Sequence, residues 1–110
     1  MCGFAGILRL GERPLPEPGI LRRMLRAIAH RGPDGQGEFL SPDVQLGAVR
    51  LAIMDPAADD QPVRGCHPDR VCVFNGEIYN HDALREELRA SGHEIGDRCD
   101  TSVLPHLHEE

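Results

Sequence analysis

The chain contains no tryptophan, and aromatic residues make up 4% of its 110 positions. Apolar residues reach 40%, so this length allows one domain with a modest core. No apolar run is long enough to span a membrane. The amino terminus has neither the basic region nor the apolar block of a signal peptide, so a cytoplasmic protein without a membrane partner is expected. Positive charge is also short: Lys+Arg number 12 against 18 Asp+Glu, a net charge of −6. That balance argues against a nucleic-acid partner, and the arginines at Arg22, Arg23 and Arg26 read as the solvent face of a helix. Cys-x-x-Cys pairs are missing. The four cysteines, Cys2, Cys66, Cys72 and Cys99, are unevenly spaced, which excludes a disulfide framework in a reducing compartment. A zinc site built from Cys66, Cys72 and Cys99 with His67 or His93 is set aside on the same spacing, and no metal ligand is assigned. The glycines of Arg31-Gly32-Pro33-Asp34-Gly35-Gln36-Gly37 lack the strand-to-helix setting and lysine of a phosphate loop.

The first seven residues, Met1-Cys2-Gly3-Phe4-Ala5-Gly6-Ile7, carry the chemistry that remains. Removal of Met1 leaves Cys2 with a free α-amino group that titrates near the range of its thiol, about pH 8. One residue then supplies both a nucleophile and its general base. The bland alternative is a cysteine serving as a small hydrophobe.

Along the chain, Gly3 to Leu10 reads as a strand. Pro14 to Gly19 is too proline-rich for a helix, and Ile20, Leu21, Met24, Leu25 and Ile28 fall at helical spacing up to His30. Arg31 to Gly37 is expected as a tight connector braced by His30 and Arg31. Glu38–Leu40 and Val44–Met54 read as strands, the second bent or bulged near Gly47. Asp55 to Pro68 is expected as a polar surface loop. Val71–Phe74 is a strand leading to Asn75-Gly76, which as a turn signal would give a hairpin. Tyr79 and Leu84 bracket Asn80 as a hydrophobic staple brackets an N-cap, so a strand-to-helix junction is preferred, with Gly92 ending the helix. A last helix starts at Asp100-Thr101, with Pro105 interrupting its first turn. His106 and His108 are expected at the surface.

Four separated stretches now align in order: Met1 to Ile7, His30-Arg31-Gly32-Pro33-Asp34-Gly35, Arg50-Leu51-Ala52-Ile53-Met54-Asp55 and Asn75-Gly76-Glu77-Ile78-Tyr79-Asn80. Together they resemble the amino-terminal glutaminase domain of asparagine synthetase and related class II glutamine amidotransferases. Cys99-Asp100-Thr101 is similar to a fifth block. The resemblance covers residues 1–110 and implies an α+β fold, the amino-terminal-nucleophile (Ntn) hydrolase sandwich of antiparallel sheets flanked by helices. It implies that Cys2 attacks the side-chain amide of L-glutamine, with the Asn75 amide and the Gly76 N–H stabilising the oxyanion. It places Arg50 on the α-carboxylate, Asp100 with Glu77 on the α-ammonium, and Leu51, Ala52, Ile53 and Met54 along the same pocket. Read alone, Arg50 is a strand-end surface charge and Asp100 a helix N-cap; Cys66, Cys72 and Cys99 read as unreactive thiols.

The sequence departs from the family pattern at Ala48, usually histidine, and at Ala52, usually serine. Arg98-Cys99 and Ser102 also differ, which puts the position of Asp100 in question. The family domain is longer, so the chain reads as its first part, truncated on the C-terminal side, with the synthetase domain absent. Glutamine hydrolysis itself implies no cofactor; ATP and Mg would belong to the missing synthetase domain. A synthetase subunit or a homodimer is the expected partner. The competing reading is a catalytically inactive remnant, or a partner-binding subunit that retains the fold.

Overall fold

The computed structural model describes residues 2–52 and 61–110; the pocket roles expected of Ile53 and Met54 lie outside them. In chain order the elements are β1 (Gly3–Leu8), α1 (Pro18–Ala27), a 3-10 turn (Ala29–Arg31), β2 (Gly35–Leu40), β3 (Val44–Arg50), β4 (Val63–Arg64), β5 (Val71–Cys72), α2 (His81–Ala90), a second 3-10 turn (Asp100–Ser102) and α3 (Val103–Glu109). Two antiparallel sheets result, one of order β1-β3-β2 and one pairing β4 with β5. The α+β class and the antiparallel pairing match expectation.

Residues directly opposite one another in a sheet share a face. Gly3, Ala5 and Ile7 oppose Val49, Gly47 and Gln45, and α1 covers this face with Leu21 and Leu25, both 0% exposed. Leu25 fits because a Cβ on Gly47 would stand 2.5 Å from its Cδ1. Gln45 Nε2 donates to the Pro16 carbonyl at 2.7 Å and ties the α1 approach to β3. On the opposite face Ala48 lies between Phe4 and Gly37. There the Gln61 carbonyl sits where a Gly37 side chain would be, and the Arg64 guanidinium stands 5.3 Å from the Phe39 ring centroid. The first sheet is thus a layer between α1 and the approach to β4. A second apolar cluster joins Leu88 of α2 to Ile95 and Val103, with Ile78 and Leu84 packed against it.

Several local expectations are corrected. β1 stops at Leu8 rather than Leu10, and α1 begins at Pro18 inside the proline-rich stretch. Proline is tolerated in a first helical turn because its missing N–H has no partner there anyway. The supposed connector is half strand: β2 starts at Gly35, paired with Arg50. No bulge interrupts β3 at Gly47, since register runs unbroken from Gly3↔Val49 to Leu8↔Val44; the glycine makes room for Leu25 instead. The supposed surface loop contains β4 and buries Gln61 and Val63. Tyr79 is 91% exposed, so it staples nothing. Asn80 does occupy the N-cap position of α2, but its side chain makes no capping bond.

Asn75-Gly76 joins β5 to α2, as preferred. Gly92, at φ 101, ends that helix, with His93 N–H bonded to the Leu88 carbonyl and Gly92 N–H to that of Arg89, a Schellman motif. α3 runs through Pro105, its third residue, where no intrahelical N–H bond is lost. His106 is buried at 3% exposure, contrary to expectation, because it shares the inner face of α3 with Val103; His108 is exposed.

The segment before β2 lies directly on the end of β3. Asp34 N–H donates to the Arg50 carbonyl at 3.0 Å, and Pro33 bridges to Arg50. A Cβ on Gly32 would fall within the Val49–Arg50 backbone. Gly32→Ala is expected to cost about 1–3 kcal/mol, as overpacking does where a rigid neighbour cannot yield. Urea unfolding checks this, and a variant as stable as the parent would refute the close seam.

Arg22 of α1 donates from Nε to Glu38 Oε2 at 3.1 Å, and that hydrogen bond holds the Glu38 carboxyl below the usual glutamate range. A carboxyl depressed by folding adds stability above its unfolded pKa, and the gain fades as pH falls through the folded value. Glu38→Gln is therefore expected to lower Tm slightly near neutrality. The difference should begin to shrink in melts below the ordinary glutamate pKa and vanish only below the lowered, folded-state value.

Candidate active site

β1 and β3 run antiparallel, so the residue before β1 and the residues after β3 meet at one end of the sheet. Leu51 N–H donates to Cys2 Sγ at 3.3 Å across a separation of 49 residues. Arg31 was expected to brace its own connector; its Nε instead donates to the Cys2 carbonyl at 3.2 Å. The Arg31 stem also lies 3.1 Å from where a Gly3 Cβ would stand. The connector therefore fixes the backbone at the cysteine carbonyl and at the residue that follows it.

This end of the sheet opens into a cavity of about 430 Å³, within the size range of small-molecule sites. Cys2, Arg50, Leu51, Asn75, Gly76, Glu77 and Asp100 all line it, although they come from four separate stretches of chain. Arg50 is 8% exposed. A guanidinium this buried is no strand-end surface charge. Ala52 is not on the wall; its N–H turns aside to Asp34 Oδ2 at 2.9 Å.

Asp100 is 5% exposed and opens the 3-10 turn ahead of α3. Its Oδ2 accepts the Ile78 N–H at 2.8 Å, and its Oδ1 accepts the Thr101 N–H at 2.9 Å. The first bond ties it to the Asn75–Asn80 block, so the departures at Cys99 and Ser102 leave it on the cavity. Thr101 Oγ1 at 3.5 Å and Cys99 Sγ at 3.8 Å also approach Oδ1, whereas Oδ2 accepts the Ile78 N–H and has a second acceptor site for a cation. Arg85 of α2, 2% exposed, donates to the Cys99 carbonyl at 3.0 Å and fixes the residue before Asp100.

Sequence reasoning missed Gln61. Its side chain is bonded to one backbone unit in both directions: Nε2 donates to the Phe74 carbonyl at 2.9 Å, and Oε1 accepts the Phe74 N–H at 2.6 Å. The backbone immediately before Asn75-Gly76 is thereby held as a paired strand would hold it. No periodicity or motif marks this residue, because its partner lies 13 positions away. Cys99 and Thr101 also line the wall. Cys72 does not, and burial pushes its thiol up.

The family profile described as the glutamine amidotransferase domain matches residues 1–110. The chain belongs to that family, and its mixed helices and antiparallel sheets are of the amino-terminal-nucleophile-hydrolase kind. It is 37% identical over 110 residues to the nodule asparagine synthetase (glutamine-hydrolyzing) of Pisum sativum, covering 100% of this chain and 18% of that protein. The asparagine synthetase (glutamine-hydrolyzing) of Zea mays gives 37% identity with the same coverage, 100% and 18%. Asparagine synthetase (glutamine-hydrolyzing) 3 of Arabidopsis thaliana is also 37% identical, with 100% of this chain and 19% of that protein covered. The chain thus spans less than one fifth of the length of these relatives. No helix among the described residues is long and apolar enough to cross a membrane.

Gln61→Leu keeps approximate volume but leaves the Phe74 N–H and carbonyl without partners. A loss of about 1–3 kcal/mol is expected, together with faster hydrogen exchange at the Phe74 amide. Unchanged exchange at that amide would show that Gln61 does not hold the segment.

Proposed function

We propose that this chain is a glutaminase of asparagine synthetase type, hydrolysing L-glutamine to glutamate and ammonia. One observation carries the reading: Cys2, Arg50, Asn75, Gly76 and Asp100, distant in sequence, share one cavity. With Met1 removed, the Cys2 amine takes the thiol proton and the sulfur attacks the glutamine side-chain carbon. The Asn75 amide and Gly76 N–H receive the developing oxyanion, where preorganised donors act most strongly. Collapse of the tetrahedral intermediate breaks the C–N bond; the proton held by the Cys2 amine leaves with the nitrogen as ammonia. Water then cleaves the thioester, returning the thiol and releasing glutamate.

Substrate orientation follows from charge. Arg50 takes the α-carboxylate, a fork suited to two parallel hydrogen bonds. Asp100 and Glu77 take the α-ammonium. Leu51 presents its N–H toward the attacking sulfur and so helps set the line of approach. Ammonia is passed to a synthetase domain or subunit that amidates aspartate with ATP and Mg, with L-glutamine the substrate recognised here. The names of the similar proteins, glutamine-hydrolyzing asparagine synthetases, support the link between glutamine hydrolysis and asparagine formation; aspartate, ATP and Mg follow from the family resemblance.

A glutamine-mimicking diazoketone tests the reading. On chain shown by intact mass to lack Met1, the adduct is expected on the Cys2 peptide and on none of the peptides bearing Cys66, Cys72 or Cys99. Excess glutamine should protect. Absence of an adduct on such chain would favour the non-catalytic alternative.

A further inference from the structure

Outside the cavity lining, four side chains that the glutaminase reading does not use converge on one point. Cys66 comes from the connection between β4 and β5, His93 from the last residue of the Schellman motif that ends α2, and His106 and Glu109 from one face of α3. Among the described residues they form a group whose donor atoms all lie within 4.8 Å of one another. Cys66 Sγ stands 3.4 Å from His106 Nδ1 and 3.7 Å from His93 Nδ1. The two Nδ1 atoms are 3.1 Å apart, and Glu109 Oε2 is 3.3 Å from that of His93 and 3.5 Å from that of His106. A tetrahedron around zinc, with Zn–S about 2.3 Å and Zn–N or Zn–O about 2.0–2.2 Å, has edges of roughly 3.3–3.6 Å. Five of the six separations are those edges to within a few tenths of an ångström, and the sixth, Cys66 Sγ to Glu109 Oε2, is within 4.8 Å.

The hydrogen bonds around the cluster orient its donor atoms inward. His93 Nε2 pairs with Glu110 Oε1 at 2.7 Å, which places its ring proton on Nε2 and turns the Nδ1 lone pair inward. That nitrogen then faces the Glu109 carboxylate, which is favourable with a metal cation between them or, without one, with a second proton on the ring. A ligating histidine that donates its other N–H to a carboxylate is the usual outer shell of a zinc site. The carboxylate is oriented in turn: Glu109 accepts the Cys66 N–H at 3.1 Å and the His67 N–H at 2.7 Å. A thiolate and a carboxylate with two neutral imidazoles balance a divalent cation. One sulfur, two nitrogens and one oxygen in tetrahedral array favour zinc over magnesium or calcium.

We propose that Cys66 Sγ, His93 Nδ1, His106 Nδ1 and Glu109 Oε2 form a structural zinc site that clasps the β4–β5 connection to the ends of α2 and α3. Four protein ligands close the coordination sphere and leave no position for a substrate. The clasp bears on the cavity through two short paths, since β5 leads to Asn75 and α3 follows directly on the turn that carries Asp100.

The untagged chain, purified without chelator, is expected to hold about one zinc per chain by elemental analysis. Its cobalt derivative should show a thiolate charge-transfer band and the intense visible bands of a tetrahedral ion. Cys66 is exposed, so Cys66→Ala should abolish both the stoichiometric zinc and the charge-transfer band while matching the parent's Tm once both are chelated. Cys72→Ala should keep both signals. Glu110→Ala, which removes the outer-shell carboxylate, should weaken zinc affinity by about 10–100-fold. Zinc retained in Cys66→Ala, a cobalt spectrum without the thiolate band, or no 1:1 binding when the metal-free chain is titrated with zinc would each overturn the proposal. None of these readouts depends on glutamine hydrolysis.

Discussion

Everything at the cavity depends on how the end of β3 is held. Three polar links converge there: Asp34 N–H on the Arg50 carbonyl, Ala52 N–H on the Asp34 carboxylate and Leu51 N–H on the Cys2 sulfur. Gly32 contributes by having no side chain, so that the incoming strand can rest on the backbone of β3 itself. With these in place, the start of β1 and the exit of β3 are brought together, and Arg31 fastens the cysteine carbonyl from the side. A motif of arginine, glycine, proline and aspartate that looks like mere punctuation is thus the mount for the proposed nucleophile and for the arginine facing it.

The wall opposite is built on a buried carboxylate. Asp100 would be costly at 5% exposure without partners; the Ile78 and Thr101 amides provide them. Those bonds also dictate where the Asn75–Asn80 block can lie, so the group proposed to hold the substrate ammonium helps to shape the hole proposed for its oxyanion. Arg85 extends the same logic outward by fixing the carbonyl of Cys99. Its burial in α2 is unusual for an arginine, and it is occupied by hydrogen bonds to Asp82 and to the chain entering the Asp100 turn.

How legible all this is from the residues depends on range. Apolar spacing reveals α1 and α2, alternation reveals β1 and β3, and Gly92 marks a helix end, because each signal is local. Gly35 and Gly37 mislead because glycine reads as a breaker, whereas here the pairing partner and the overlying Gln61 carbonyl decide the conformation. Val63-Arg64 is too short to announce a strand without Val71-Cys72 beside it. The cavity residues are legible through their ordered blocks, not through any spacing rule, since no local pattern shows that Cys2 and Leu51 touch. Gln61 is invisible for the same reason, and of the Cys66–His93–His106–Glu109 cluster only Cys66 and His93 suggest themselves as ligands, in a set with the wrong companions: the partners come from different elements, and only the fold brings them together.

The Gln61 contact has a chemical corollary. Phe74 presents one donor and one acceptor, and a side chain that answers both at once must itself carry one of each. A primary amide does so; a carboxylate of the same length offers acceptors alone. Conversion of this glutamine to glutamate, by mutation or by slow deamidation in an ageing sample, would set an anionic oxygen against the Phe74 carbonyl. The segment before Asn75 would then be pushed outward by an uncatalysed chemical clock, with no change to any residue of the proposed catalytic set.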